Sequence, residues 1–177
     1  MLGFTIDKQG KRISASRVEA LRNLRKPRSR DDVQKLLGCF VFVAKWIKNF
    51  AEFSAPLYSL LHKGVRFEKS WSVTHDECLM ALRHCVENAP ILIVLNYSEM
   101  VYFRSDASLL AIAAVLYQIV EDKELPACYG SKKLTDHQKS WPIVQTEFYS
   151  LIYFIRKWRS MLQGAQVTIE VDARNLL

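Results

Sequence analysis

Hydrophobic residues recur at helix-like spacing through the first half of this chain. Apolar side chains three and four residues apart predict helices over residues 17–24, 32–49, 56–62 and 74–86. Two strand-like runs on either side of the turn residue Gly10 predict a hairpin at the start. Residues 1–88 are therefore predicted to be mostly helical, with one hairpin.

The pattern changes at Pro90 to short apolar runs separated by turn residues. These runs predict strands over residues 91–97, 100–106, 111–120, 126–134 and 167–172. An amphipathic segment before the last strand predicts a helix over residues 144–162. Its predicted core-facing side chains are Phe148, Leu151, Ile152, Ile155, Trp158, Met161 and Leu162. The fold class is thus α+β, with a helical region followed by a sheet-containing region.

Three carboxylates lie where these predicted elements begin or end. Asp106 ends one strand, Asp172 ends the last strand, and Glu147 lies near the start of the 144–162 helix on its apolar face. Acids among core-facing residues are usually paired or bind metal, and divalent cations relieve the repulsion between converging acids. Such a cluster indicates two-metal phosphodiester chemistry.

Each acid also has an ordinary structural explanation. Asp106 suits the turn after a strand, and Asp172 suits the N-cap of a following helix. Glu147 near a helix N-terminus compensates the helix dipole. Position along the chain leaves both explanations open for all three residues.

The positive charge is concentrated in the N-terminal part. The net charge is +7, and residues 1–70 hold 15 Lys and Arg against 6 Asp and Glu. This imbalance favours a polyanionic partner such as nucleic acid, although a solvated surface has the same composition. The candidate phosphate-contacting residues are Arg25, Lys26, Arg28, Lys132 and Lys133.

Cysteine usage and hydropathy indicate the compartment. The four cysteines form no CxxC pair, which argues against a zinc site or a disulfide framework. No segment resembles a signal peptide, and the longest apolar runs are too short to cross a bilayer. We therefore expect an intracellular protein, in the cytoplasm or the nucleus, with no membrane partner.

Eight segments of the chain match one family in amino-acid sequence and in order along the chain. They are LGFTID, VQKLLGCFVFVAKWIKNFAEFSAPLYSLL, FEKSWSVTHDECLMALRHCVENAPIL, FRSDAS, AVLYQ, YGSKKLT, TEFYSLIYFIRKWRSMLQG and VDARNLL. With matching spacing over essentially the whole chain, they resemble the Pol polyprotein of gypsy-type long-terminal-repeat retroelements.

The resemblance implies three regions. Residues 1–64 look like the end of the palm and the thumb of a reverse transcriptase, and residues 65–95 look like a connection. Residues 96–177 look like an RNase H-like domain with a mixed sheet, incomplete at its C-terminus. No segment resembles the YxDD motif of the polymerase site, so no polymerase active site is expected in this chain.

The resemblance also implies a reaction and its cofactors. Asp106, Glu147 and Asp172 match the first three metal-binding carboxylates of the family's RNase H domain. The family hydrolyses the RNA strand of RNA–DNA hybrids with two Mg²⁺ or Mn²⁺ ions, and its proteins occur in cytoplasmic virus-like particles. RNA–DNA hybrid or another nucleic acid is therefore the expected partner.

Two departures from the family pattern favour an alternative function. Leu109, Leu110 and Ala113 stand where the family commonly has Asp and Gly. The family's fourth acid lies on a later helix, beyond Leu177, so three of the four acids are present. The alternative is a domesticated, catalytically inactive module that binds nucleic acid or serves as a protein-interaction scaffold. In that case the rest of Pol, or another protein, would complete its sheet.

Overall fold

A hairpin and a group of helices form the N-terminal part of the computed structural model, which describes residues 3–171 apart from the side chain of Glu68. The elements are strands β1 (Phe4–Asp7) and β2 (Gly10–Ile13), helices α1 (Ala15–Arg22) and α2 (Arg30–Val41), a short 3₁₀ helix (Ala44–Trp46), and helices α3 (Phe50–Ser59), α4 (Phe67–Ser70) and α5 (Val73–Glu87). They enclose a core in which Phe40, Trp46 and Leu82 are almost fully buried. The predicted helical region with one hairpin is confirmed.

A mixed four-stranded sheet forms the C-terminal part. Its elements are β3 (Val101–Ala107), β4 (Ala111–Val120), β5 (Lys123–Lys133), α6 (Asp136–Lys139), α7 (Ile143–Lys157), α8 (Arg159–Leu162) and β6 (Val167–Glu170). The strand order is β5-β4-β3-β6, with β6 parallel to β3 and the other pairs antiparallel. β5 and β6 lie at opposite edges of the sheet, and the connection through α7 crosses the sheet between them. A crossover of this kind is needed to bring β6 in parallel to β3.

The two faces of this sheet differ in what covers them. Phe103 of β3 is fully buried, and its ring lies 5.9 Å from that of Trp158 at the end of α7. Side chains alternate across a strand, so Tyr102, Arg104 and Asp106 point to the opposite side. We call that side the open face. Pocket-forming residues there include Arg104 and Asp106.

Hydrogen bonds join the two parts of the chain. The backbone N–H of Ala51 in α3 donates to the Ser131 hydroxyl of β5 at 2.9 Å. Lys11 of the hairpin exchanges two backbone hydrogen bonds with Leu92. The Tyr129 ring of β5 packs against the N-terminal core. None of the helices between residues 3 and 171 has the length and apolar character that a membrane-spanning segment requires.

The strand predicted over residues 91–97 is wrong. This segment is extended, but its backbone forms isolated hydrogen bonds with several elements and no continuous ladder of hydrogen bonds with one neighbouring strand. Leu92 bonds to Lys11, and Ile93 N–H donates to the Pro126 carbonyl at 2.8 Å. Proline has no N–H with which to return that bond. The next bonds come from the Gln118 side chain, which caps Asn96.

The helix predicted over residues 32–49 is shorter than expected. Ser29 caps α2 by accepting a hydrogen bond from the Asp32 N–H at 3.1 Å, and the helix ends at Val41. A 3₁₀ helix follows, and Asn49 then adopts a left-handed conformation with φ 56°. Asn is one of the few residues that tolerate this conformation. The hydrophobic period continues past Val41 because Val43, Trp46 and Ile47 remain buried.

The predicted core face of the 144–162 helix is also wrong in part. Phe148 and Ile152 are each 50% exposed, and Ile155 is 38% exposed. The buried residues of α7 are Thr146, Ser150 and Phe154. Small side chains at the first two positions let the helix lie close to the sheet, and Gly130 leaves room for the Phe154 ring. The helix breaks at Trp158 before α8 begins.

Candidate active site

Asp106 lies at the C-terminal end of β3 on the open face. It is exposed, and its cross-strand partner is Ala113 of β4. It lines a hollow of about 540 Å³ together with Lys48, Asn49 and Glu170. The loop before α3 therefore borders the Asp106 carboxylate from the N-terminal part of the chain.

Glu147 lies in the N-terminal part of α7 at the same end of the sheet. Ser150, less than one turn further on, donates from its hydroxyl to the Ala113 carbonyl at 3.5 Å. Since Ala113 pairs with Asp106, Glu147 and Asp106 come from elements that meet where β3 ends. Glu147 is half-buried and engaged in a contact. Its helix covers the face of the sheet opposite the open face.

The third predicted acid, Asp172, lies outside the described residues. The strand that leads to it is described, and β6 pairs in parallel with β3 so that Arg104 stands opposite Glu170. Within residues 3–171 no three His, Cys, Asp or Glu side chains come together as a set of metal ligands. Two of the three predicted acids thus fall within the described part of the chain, at one end of the sheet.

An ion-pair network next to Asp106 was not predicted from the sequence. Arg104 Nε donates to Glu170 Oε2 at 2.7 Å, and its Nη2 donates to Glu124 Oε1 at 2.8 Å. The same Nη2 donates to the Tyr117 hydroxyl at 2.7 Å, and that hydroxyl donates to Glu170 Oε1 at 2.8 Å. The four residues come from four different strands, so the network ties the whole sheet together and holds β6 on β3.

The pKa values within this network shift in the directions that keep Arg104 and Glu124 charged and Tyr117 neutral. The Arg104 hydrogen bond is the main cause that lowers the pKa of Glu124. The hydrogen bond with Glu124 is in turn the main cause that raises the pKa of Arg104. Burial first, and then the hydrogen bond with Glu170, raise the pKa of Tyr117. At neutral pH the network therefore contains a guanidinium, an ionised Glu124 and a neutral phenol.

The predicted basic residues near α2 border a surface hollow of about 300 Å³. Arg25, Lys26 and Arg28 are all exposed there. The Lys26 ammonium pairs with Asp76 at 2.8 Å and lies 5.0 Å from the centre of the Trp71 ring. Arg25 and Arg28 form no ion pair with an acid in the described part of the chain. Their charges are the more available of the three for phosphate.

Lys132 and Lys133 lie at the C-terminal end of β5 and are half-buried. Lys132 donates to the Tyr149 hydroxyl, and its ammonium lies 4.4 Å from the centre of the Tyr153 ring. Both lysines therefore lie in strand β5 and not in a loop, and Lys132 also contacts α7. For these two lysines the sequence left phosphate contact and a solvated loop equally open.

Comparison with known proteins identifies the family. Residues 71–169, more than half of the chain, match the family described as the RNase H-like domain found in reverse transcriptase. The chain is 26% identical over 179 aligned residues to the transposon Tf2-3 and Tf2-4 polyproteins of Schizosaccharomyces pombe. The alignment covers 99% of this chain and 13% of each polyprotein.

Solved structures show the same fold. A foamy viral protease-reverse transcriptase in complex with an RNA/DNA hybrid matches 99% of this chain and 24% of its own, with a TM-score of 0.81 and 20% identity. A second foamy viral protease-reverse transcriptase structure, dRH with double-stranded DNA, matches 99% of this chain and 31% of its own, with a TM-score of 0.82 and 20% identity. The resemblance to retroelement Pol is confirmed, and the chain belongs to the family of RNase H-like domains found in reverse transcriptases.

Proposed function

We propose that this chain is the thumb, connection and RNase H-like segment of a retroelement polyprotein that hydrolyses the RNA strand of RNA–DNA hybrids. In this proposal residues 1–64 are the end of the palm and the thumb, residues 65–95 are the connection, and residues 96–177 are the RNase H-like domain. Asp106, Glu147 and Asp172 are the catalytic and metal-binding residues. The setting is the cytoplasm, within a virus-like particle, or the nucleus.

The observation that carries the proposal is the register of β6 on β3. Arg104 stands opposite Glu170 in a parallel pair. Asp106 follows Arg104 by two residues, and Asp172 follows Glu170 by two residues. The proposal requires the two aspartates to be neighbours, and the described pairing of β6 with β3, up to Arg104 and Glu170, agrees with that requirement. The N-terminal part of α7 supplies Glu147 at the same end of the sheet.

The chemistry of these side chains fits divalent cations. Members of this family generally use such ions, and carboxylate oxygens are the ligands that Mg²⁺ prefers. Asp106 is exposed at a strand end, so its oxygens are available. When bound, two cations would activate a water and stabilise the leaving oxygen. The Arg104 network would keep β6 in a fixed register on β3.

Removal of the Asp106 charge tests the metal site. Mg²⁺ or Mn²⁺ should raise the melting temperature of the wild-type chain, since a ligand at 100 times its Kd stabilises the folded state by about 2.7 kcal/mol. In Asp106→Asn the rise should disappear. Asp122→Asn, in the exposed turn between β4 and β5 at the other end of the sheet, should keep it. A rise of equal size in Asp106→Asn would contradict the site.

The proposed nucleic-acid partner is supported by charge and by fold. The matched foamy viral structures are complexes with double-stranded DNA and with an RNA/DNA hybrid. We propose that Arg25, Lys26 and Arg28 contact the phosphate backbone of such a duplex, and that Lys132 and Lys133 also contact phosphate. Phosphate contacts of this kind give affinity without sequence preference.

Loss of two basic side chains should weaken hybrid binding in a salt-dependent way. The double variant Arg25→Ala with Arg28→Ala should reduce the slope of log Kd against log salt by up to about one unit per lost contact. Lys26→Ala should have a smaller effect because Asp76 already neutralises that charge. Lys8→Ala, in the exposed β1–β2 turn, is the control. Unchanged affinity and slope in the double variant would show that this surface is only solvated.

A second candidate function rests on the turn that follows Asp106. Leu109 is 74% exposed and Leu110 is 47% exposed, which places apolar surface beside the proposed site. Such side chains suit contact with a protein better than contact with phosphates. A catalytically inactive module, which binds nucleic acid or a protein that completes the sheet, is therefore the alternative. It predicts hybrid binding without cleavage.

A further inference from the structure

A cleft lies between the N-terminal helices and the edge of the sheet. It has a volume of about 860 Å³ and lies between the segment from Val41 to His62 on one side and β5 with the end of α7 on the other. We call it the β5 cleft. This volume is in the range of small-molecule sites, which span about 300–1,000 Å³.

The charged residues that line the β5 cleft are all basic or titratable to a cation. Among the described lining residues there is no Asp or Glu, and the basic side chains are Lys45, Lys132, Lys133, Lys157 and His62. No carboxylate within residues 3–171 forms an ion pair with any of the four lysines. The contrast is with Lys26 and Lys139, which both pair with an aspartate.

Aromatic rings take the place of carboxylates as partners of these lysines. The Lys45 ammonium lies 4.5 Å from the centre of the Trp46 ring and 4.7 Å from that of Phe4. The Lys157 ammonium lies 5.6 Å from the centre of the Phe154 ring. Such contacts hold the cations in place without neutralising them. The charges of Lys45 and Lys157 therefore remain available to an anion.

Burial of Lys45 and Lys157 has an energetic cost that an anionic ligand would relieve. Burial is the largest cause that lowers the pKa of Lys45, with the charge of Lys11 next. Burial likewise lowers the pKa of Lys157. Partial burial makes charge–charge interactions stronger than in bulk water. A polyanion in the cleft would gain from that environment.

The remaining wall of the cleft is apolar and partly aromatic. Phe50, Leu61, Trp158 and Met161 contribute to it. A ligand that uses both walls needs a flat apolar part and several negative charges within a short distance. We propose that the β5 cleft binds a compact aromatic polyanion, of which a free nucleoside triphosphate is the representative. The proposal does not depend on Asp106, Glu147 or Asp172, and its test is independent of cleavage.

Calorimetric titration of the full chain with adenosine triphosphate tests this proposal. Lys45→Gln and Lys157→Gln should each raise the Kd about tenfold, as expected for a lost interaction between charged groups. Lys123→Gln, on the same strand β5 but outside the cleft, is the matched control and should bind as the wild type does. The melting temperature without ligand shows whether each variant is folded.

Two further titrants separate the contributions of the two walls. Inorganic triphosphate and adenosine should each bind more weakly than adenosine triphosphate, because each uses one wall. Equal affinity for inorganic triphosphate and for the nucleotide would overturn the aromatic part of the proposal. An affinity that is the same in folded Lys45→Gln, Lys157→Gln and the wild type would overturn the site itself.

Discussion

Phe154→Ala should lower the free energy of unfolding by about 3–5 kcal/mol, the range for removing a buried aromatic side chain. Phe154 is fully buried between α7 and the sheet, and its ring centre lies 5.1 Å from that of Trp158. A Cβ added to Gly130 would lie 2.6 Å from the Phe154 ring, which shows how closely the ring approaches β5. Chemical denaturation of wild type and variant measures the difference.

Phe148→Ala is the matched control for this prediction. It removes the same side chain from the same helix, but Phe148 is 50% exposed. The expected loss is well under half of that for Phe154→Ala, because much less apolar area returns to water. An equal or larger loss in Phe148→Ala would mean that α7 packs through the face that its hydrophobic pattern predicts, and not through the face described above.

The order of elements could be read from the sequence because its signals are local. The helical periods of the N-terminal half, the turn around Gly10 and the alternation in the β3 and β4 segments each lie within a few neighbouring residues. Placement of Asp106 at the end of a strand followed from the same signals. The retroelement resemblance then predicted an RNase H-like domain with a mixed sheet, which periodicity alone does not specify.

The buried face of α7 could not be predicted in this way because it is not the most hydrophobic face of the helix. Thr146 and Ser150 are buried for their small size, and Gly130 on β5 accommodates Phe154. These are facts about the neighbouring sheet, which periodicity along the helix does not contain. The residues that look most apolar, Phe148 and Ile152, are left half exposed.

The Arg104 network and the β5 cleft escaped prediction because their residues are distant in sequence. Arg104 and Glu170 are separated by 66 positions and meet only through the parallel pairing of β3 with β6. If the registers of β4 and β6 on β3 had been predicted, the proximity of Arg104, Tyr117 and Glu170 would have followed. Lys45 and Lys157 likewise come from the two different parts of the chain, and no motif links them.

Glu147→Gln should abolish metal-dependent cleavage if the three carboxylates form the proposed site. Loss of a residue that only supports a metal ligand costs about 10–100-fold, so loss of a ligand itself should reduce the rate by more than about 100-fold. The substitution keeps the size of the side chain and removes its charge. Glu19→Gln, an exposed glutamate on helix α1, is the matched control and should leave the rate unchanged.

The most direct measurement is cleavage of a labelled RNA strand in an RNA–DNA hybrid by this chain, with Mn²⁺ and with EDTA. The proposed function predicts cleavage with Mn²⁺, none with EDTA, and loss of cleavage in Glu147→Gln but not in Glu19→Gln. Salt-sensitive binding of the hybrid without any cleavage would contradict it and would identify the chain as the inactive nucleic-acid-binding module.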